Sequence, residues 1–383
     1  MTDDSTAARY HRLQLGLGIT ELLVGLAFLL GVLVSGAGAA LARTAGTLTG
    51  AWWAQALLIA LTLAVVHRVL TFPLTWVRDY GLPRRYGLLH QPFASWLGDR
   101  LKAVAVAAPL ALGGLLAVYA LLRATPLWWL WAAAVFLAAF AVMATVLPVW
   151  IMPLFYRLAP LADGALHARL LALAGRAGVP AGGVWVADQS RKSRTANAAL
   201  VGLGRTRRIV LFDTLVREFT PPEIESVLAH ELGHHVHGDM RRGLFAQGAL
   251  TLVTFGAAHH LLGWGPALWG YATVGDVASI PWLVLVLSTL GVAAAPLANG
   301  FSRWIERQAD DFALDTTGGP SAFIGAMERL ARLNLAERAP SRLKEVVLYS
   351  HPSLERRIAR ARDWGRRRGS EMATPPEVAR TRP

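Results

Sequence analysis

Six stretches of the chain are long and almost wholly apolar: 15–39, 52–76, 102–122, 127–152, 243–263 and 278–299. About 20 such residues in a helix cross the roughly 30 Å of bilayer hydrocarbon. None of the six carries the polar stripe at 3.6-residue spacing that marks a soluble surface helix, so each is predicted to span a membrane. The fourth has no charged residue and opens on Trp128–Trp129, as an interfacial aromatic belt does. Polar and apolar residues mix normally in two other segments, 154–242 and 301–383. In the first, Gly183–Asp188, Asn197–Gly202 and Arg208–Asp213 read as short strands. Helices are predicted beside them at about 162–178 and from Pro221 onward. The second segment reads as helix at 302–316 and 320–336, and its Arg-, Pro- and Thr-rich end from about Arg366 reads as disordered. The predicted organisation is a four-span membrane domain at 1–153, a soluble domain at 154–365 interrupted by two spans, and a basic tail at 366–383.

Composition supports the membrane reading. Hydrophobic residues make up 54% of the chain and charged residues 16%, against roughly 25% charged in an ordinary soluble domain. The net charge of +13 lies in loops rather than along a helix face interleaved with aromatics, which argues for lipid contact and topology and against nucleic acid. Arg9 and Arg12 precede the first span; Arg78, Arg84, Arg85, Arg100 and Lys102 follow the second. The segment after span four and the C-terminal tail are also basic, whereas the intervening loops hold only Arg43, only Arg123 and no basic residue. The positive-inside rule then places both termini in the cytoplasm, with an even number of spans. Met1–Arg12 lacks the features of a removable leader. With no organelle signal and a strong arginine bias, a bacterial plasma membrane is the expected location. There is no cysteine, which excludes disulfides and thiolate metal sites. Glu21, His67 and Arg68 fall within spans and should face the bundle interior, water or the nearby interface; His259 and His260 are expected at the outer interface.

The chemistry is concentrated after Thr220-Pro221-Pro222-Glu223, a capped helix start. About two turns on stands His230-Glu231-Leu232-Gly233-His234. Residues four apart share a helix face, so both imidazoles can hold one ion, and Glu231 can reach the metal-bound water. This is the H-E-x-x-H arrangement of zinc proteases, with the glutamate as general base. A catalytic zinc takes three protein ligands and leaves one position open. Glu306 is the candidate third ligand: it lies 72 positions after His234, and the last two spans between them form a hairpin that returns the chain to the same membrane face. Asp310, one turn beyond, is placed to hold a ligand histidine by its second nitrogen, with Asp311 and Asp315 as competitors. The fold expected is therefore an α-helical multi-pass membrane protein with a zincin-like α+β metalloprotease domain on the cytoplasmic face, holding one zinc ion per chain.

The sequence also resembles the M48 metallopeptidases, in particular their CAAX prenyl protease 1 branch. The resemblance is carried by Thr195-Ala196-Asn197-Ala198, by Gly204-Arg205-Thr206 leading to Ile209–Asp213, and by Val227–His234. Ser302-Arg303 with Glu306, Ala309 and Asp310 is a further block, and Ser350-His351-Pro352-Ser353 with Arg357 another. It implies zinc ligands at His230, His234 and Glu306, with Glu231 activating water. It implies that Asn197 and Ala198 pair with the substrate backbone at a sheet edge, and that His351 and Arg357 stabilise the tetrahedral oxyanion. The implied substrate is a peptide or protein, in this branch C-terminally lipidated. General quality control of membrane proteins is the alternative of the same class; a transporter or channel with a structural metal is the alternative of a different class.

Overall fold

The computed structural model describes residues 3–146, 150–202 and 207–373. The first part is built from α1 (Asp3–Val34), α2 (Ala37–Leu48), α3 (Trp52–Trp76), α4 (Phe93–Ala124) and α5 (Trp128–Val146). A small sheet follows, of β1 (Leu158–Pro160), β2 (Val184–Ala187), β3 (Ala198–Val201) and β4 (Arg208–Phe212), with α6 (Gly164–Arg176) between its first two strands. Then come α7 (Pro221–Val236), α8 (Asp239–Gly263), α9 (Ile280–Thr317), α10 (Pro320–Leu333), α11 (Arg342–Leu348) and α12 (Leu354–Ala373).

Among the described residues, α1, α3, α4, α5 and α9 are long and apolar enough to cross a membrane. The sixth expected span, 243–263, lies in α8, whose 25 residues give about 37 Å of helix at 1.5 Å each. It is less apolar than the other five because Gln247, Thr251, His259 and His260 dilute it. Neighbouring groups accommodate that polarity: Gln247 Nε2 donates to Thr251 Oγ1 (3.1 Å), and Trp128 Nε1 donates to His259 Nδ1 (3.1 Å). α8 packs between α5 and α9.

These five helices and α8 stand as a ring, α1–α3–α4–α5–α8–α9, and α9 packs back on α1. Their buried apolar cluster is confined to the end remote from the sheet, around Ile59, Tyr119, Trp128, Phe255, Ile280 and Leu283. At the end nearer the sheet a second, smaller cluster gathers Ala7, Tyr10, Leu82 and Leu88 with Leu335. There, Glu21 is paired with Arg78 (2.5 Å) and accepts from Thr75 Oγ1 (2.8 Å), and His67 lines a cavity of about 550 Å³ with Glu21 and Arg78. Glu21 and His67 thus face inward, where Arg78 and Thr75 offset the cost of taking Glu21 out of water, whereas Arg68 is exposed on α3.

The soluble part packs against this end. Leu89 and Ser193 form an isolated antiparallel bridge, Lys192 Nζ meets Asp99 (2.7 Å), and His11 Nε2 is bonded to the Leu335 carbonyl (2.9 Å). Sheet order is β1-β2-β4-β3; β2 and β4 run parallel and the outer strands antiparallel. β1 was not foreseen in the sequence, being three residues ending in a proline, which only an edge strand tolerates. The other edge is β3. One face of the sheet and helices α6, α7 and α10 bury a common core that includes Leu170, Ile209, Leu211, Leu228, Leu232 and Phe323.

Two expectations are corrected. The span at 278–299 and the helix at 302–316 are one helix, α9, of 38 residues, which runs through both Pro296 and Gly300; packing against α7 and α8 outweighs their helix-breaking cost of about 3 and 1 kcal/mol. The tail expected to be disordered from Arg366 continues α12 to Ala373; residues 374–383 lie outside the described residues. Its composition is basic, but α9 supplies partners: Trp364 Nε1 donates to Asp315 (2.9 Å), Arg360 pairs with Asp311 and Arg368 with Asp315.

Candidate metal centre and active site

α7 starts where the sequence predicts. Thr220 and Glu223 form the reciprocal capping box, and Arg329 Nε straddles the Glu223 carboxylate, 2.8 Å from Oε2 and 3.0 Å from Oε1. Two turns on, the His230 and His234 rings lie 4.8 Å apart, nearly perpendicular. Between the two histidine positions is Gly233, at the crossing of α7 over α9. A Cβ there would stand 3.0 Å from the Ala309 Cα and 3.2 Å from the Phe312 Cβ. The glycine permits the close approach that brings Glu306 to the histidines. Gly233→Ala is expected to lower stability by about 1–3 kcal/mol through overpacking and to weaken metal retention. Unchanged unfolding and metal content would show that this crossing has room to spare.

Glu306 faces both rings: Oε2 is 3.3 Å from His230 Nε2 and Oε1 is 3.6 Å from His234 Nε2. One ligand atom from each of the three residues lies within 4.8 Å of the others. The remaining imidazole nitrogens are taken by carboxylates. Asp310 Oδ1 lies 2.9 Å from His230 Nδ1, and Asp239 Oδ2 lies 2.9 Å from His234 Nδ1. Each carboxylate accepts from Nδ1, which leaves Nε2 as the nitrogen available to an ion and fixes the ring orientation. Glu306 Oε2 is buried without a hydrogen-bond partner, a cost that a cation would remove. Electrostatics agree. Burial lowers the affinity of His230 for a proton, but Asp310 and Glu306 outweigh it and raise its pKa to about 9; the site demands positive charge. The donor set, two imidazoles and one carboxylate with supporting carboxylates behind, fits a divalent metal.

Glu231 is half-buried beside this cluster, and burial pushes its carboxyl above the usual range, against the pull of His230 and His234. A carboxylate so placed is a more effective proton acceptor than one in free solution.

A model of peptidase family M48 matches residues 160–365, over half of the chain. The chain belongs to peptidase family M48. A second model, described as the CAAX prenyl protease N-terminal region with five membrane helices, matches residues 3–157; here that region is α1 to α5, of which the 12-residue α2 is too short to cross a membrane. The uncharacterized metalloprotease YhfN of Bacillus subtilis is 29% identical over 304 residues, 78% of this chain and 71% of that one. CAAX prenyl protease 1 of Saccharomyces cerevisiae is 37% identical over 186 residues, 47% of this chain and 40% of its own. The crystal structure of S. mikatae Ste24p superposes with a TM-score of 0.79 at 25% identity, covering 93% of this chain and 88% of that one. This M48 protein is thus a multi-pass membrane metalloendopeptidase acting on peptides or proteins.

The other expected residues fall around the M48 centre in three different ways. Asn197 and Ala198 lie at the start of β3, the free edge, with α7 alongside. His351 is largely exposed and its Nε2 stands 3.2 Å from Glu306 Oε1. Arg357 lies deeper than expected. Its side chain is mostly buried, and its fork is spent on Asp310, Nε to Oδ2 at 2.9 Å and Nη2 to Oδ1 at 2.6 Å. Among the competing aspartates, Asp310 alone reaches a ligand histidine; Asp311 and Asp315 bind arginines of α12. His235 lies beside the centre and bonds to the Leu200 backbone, and His237 packs edge-on against Phe312.

The sequence reading missed Asp239. Its signal was present in Gly238-Asp239 directly after the motif. Gly238 takes φ 67° and ends α7, so that α8 begins with Asp239 folded back onto His234.

Proposed function

We propose that this M48 protease is a zinc enzyme that hydrolyses peptide bonds at the cytoplasmic face of a bacterial plasma membrane, near lipid-modified C-termini. The observation that carries this reading is the convergence of His230, His234 and Glu306, with Glu231 beside them, at the sheet end of a ring of spans. The ligand set of two histidines and one glutamate is that of zinc hydrolases. Zinc, when bound, supplies a Lewis acid and lowers the pKa of its water toward 7. Glu231 receives the proton from the attacking water and passes it to the leaving amine. The free edge of β3, from Asn197 and Ala198, holds the substrate backbone as an added strand. His351, exposed and within reach of the centre, donates to the oxyanion; Arg357 acts through Asp310, keeping it charged and aimed at His230. The cytoplasmic placement is supported by the arginine-rich N-terminus and the loop after α3, which share the soluble part's end of the ring.

The test is cleavage of one C-terminal reporter peptide, with and without a farnesyl group, by detergent-purified protein beside a chelator control. The lipidated peptide should be cut at least about tenfold more efficiently, as burial of even part of a hydrocarbon chain allows. Equal cleavage of both would move the function to general quality control of membrane proteins. Cleavage that survives full metal removal would rule out the zinc mechanism.

A further inference from the structure

The free edge of β3 has a definite length. Along it, backbone groups alternate between facing β4 and facing outward. The Asn197 carbonyl accepts from Phe212 N–H (3.0 Å) and the Thr195 carbonyl accepts from Thr214 Oγ1 (2.7 Å). Residues 195 and 197 therefore face inward, and Ala196, Ala198 and Leu200 face the other side. There the Ala198 N–H donates to the neighbouring Asn197 Oδ1 (2.9 Å) and His235 bonds to the Leu200 backbone, leaving the Ala198 carbonyl and one Leu200 group for a partner strand. Ala196 is not open. Its N–H donates to Asn334 Oδ1 (2.9 Å), and its carbonyl accepts from Asn334 Nδ2 (3.3 Å). A primary amide has the donor and acceptor of a peptide unit, so Asn334 fills the place where a partner strand would continue.

The clamp is held from both sides. Asn334 follows the last turn of α10, and Arg194 Nε donates to the Leu333 carbonyl (3.1 Å). Leu335 takes φ 48°, a left-handed conformation uncommon for leucine. Its side chain is buried among Ala7, Tyr10, Leu82 and Leu88, and its carbonyl is bonded to His11. A substrate cannot push Asn334 aside without unseating this junction with α1.

We propose that Asn334 limits which bonds are cut by ending the substrate-binding edge. A substrate laid antiparallel on β3 runs toward its own C-terminus as β3 is followed back from Ala198 to Ala196. Beyond Ala198 it meets the Asn334 amide, so only a short stub can follow the scissile bond, and peptides that continue further lose backbone pairing and collide with the end of α10. Asn334 is a specificity-determining residue that acts through the edge and touches none of the reacting groups. The inference rests on the peptidase reading above.

The experiment compares two reporter peptides of one sequence, one ending shortly after the scissile bond and one extended by several residues at its C-terminus. Each is presented to wild type, Asn334→Ala and Asn334→Asp. Wild type should cut the extended peptide roughly tenfold less efficiently, mainly through KM, since two backbone hydrogen bonds are at stake. Asn334→Ala should bring the two peptides to near parity. Asn334→Asp, which keeps the volume and the acceptor, should fall between and guards against a variant that does not fold; thermal unfolding and metal content are read beside it. If wild type cuts both peptides equally, or if both folded variants keep the wild-type ratio, the inference is overturned. If wild type cuts neither peptide, the peptidase reading itself falls, and this inference falls with it.

Discussion

Glu231→Gln is expected to reduce turnover by about 10²–10⁴-fold, the usual worth of a positioned acid–base group, with metal content and unfolding temperature close to wild type. The reason is division of labour on one helix. His230 and His234 face Glu306 and hold their orientation from Asp310 and Asp239, none of which depends on Glu231. Its neighbours act on Glu231 only electrostatically, after the dominant effect of burial. Glutamine keeps the volume and one acceptor oxygen but cannot take a proton. The check is a steady-state assay on the cleavable reporter beside metal analysis of the same preparation. Retained turnover would mean that another group accepts the proton; lost metal would mean that Glu231 supports the site structurally.

The second large effect is expected from Asp310→Asn. The Arg357 side chain is only 10% exposed, and its Nε and Nη2 both donate to this carboxylate. Removing the negative charge leaves a buried cation without its partner, a situation that costs about 3–5 kcal/mol. The substituted amide would still accept from His230 Nδ1 but polarise it less, so metal affinity should fall about 10- to 100-fold. The double variant Asp310→Asn with Arg357→Met separates the two effects. Removing the uncompensated charge should recover most of the stability, because buried ion pairs exchanged for apolar groups are often neutral. Metal affinity should stay low, since the negative charge behind His230 is still absent. Unfolding curves and metal titrations on the three proteins decide it. A double variant no more stable than Asp310→Asn alone would show that Arg357 is not held in place by this pair.

Much of the centre was legible because its parts are local. The two histidines are one helical turn apart, and the capping box that starts their helix spans four residues. Short apolar runs bounded by turn residues placed β2, β3 and β4 within a residue or two of their observed ends. The resemblance to M48 proteins pointed to Asn197 and Ala198; Ala198 opens the edge strand β3 and Asn197 directly precedes it. Arg357 was named for the cleft and is found behind Asp310. Nothing in Arg356-Arg357 says which of two neighbouring arginines turns inward; the packing of α12 on α9 decides that. Asp239 and Asn334 passed unnoticed for different reasons. Asn334 works through a contact whose partner lies 138 positions away, whereas Asp239 is only five residues from His234 and depends on the left-handed turn at Gly238 to fold back onto it.

The sequence by itself determined that this chain crosses a membrane repeatedly, that its basic loops alternate, and that one capped helix carries a metal-binding pair with a base beside it. These are properties of hydrophobic length and helical period, which act within a span or a turn. Only the tertiary structure decided that the spans close into a ring whose apolar cluster lies at the far end. It likewise decided that the last span runs unbroken into the helix carrying Glu306 and Asp310, and which of three aspartates supports the metal ligand. Ring closure depends on how helices pack side by side, and the choice among aspartates on which arginines other helices bring to them. Both are long-range contacts, and a pattern read along one segment of chain carries no record of the partner it will meet.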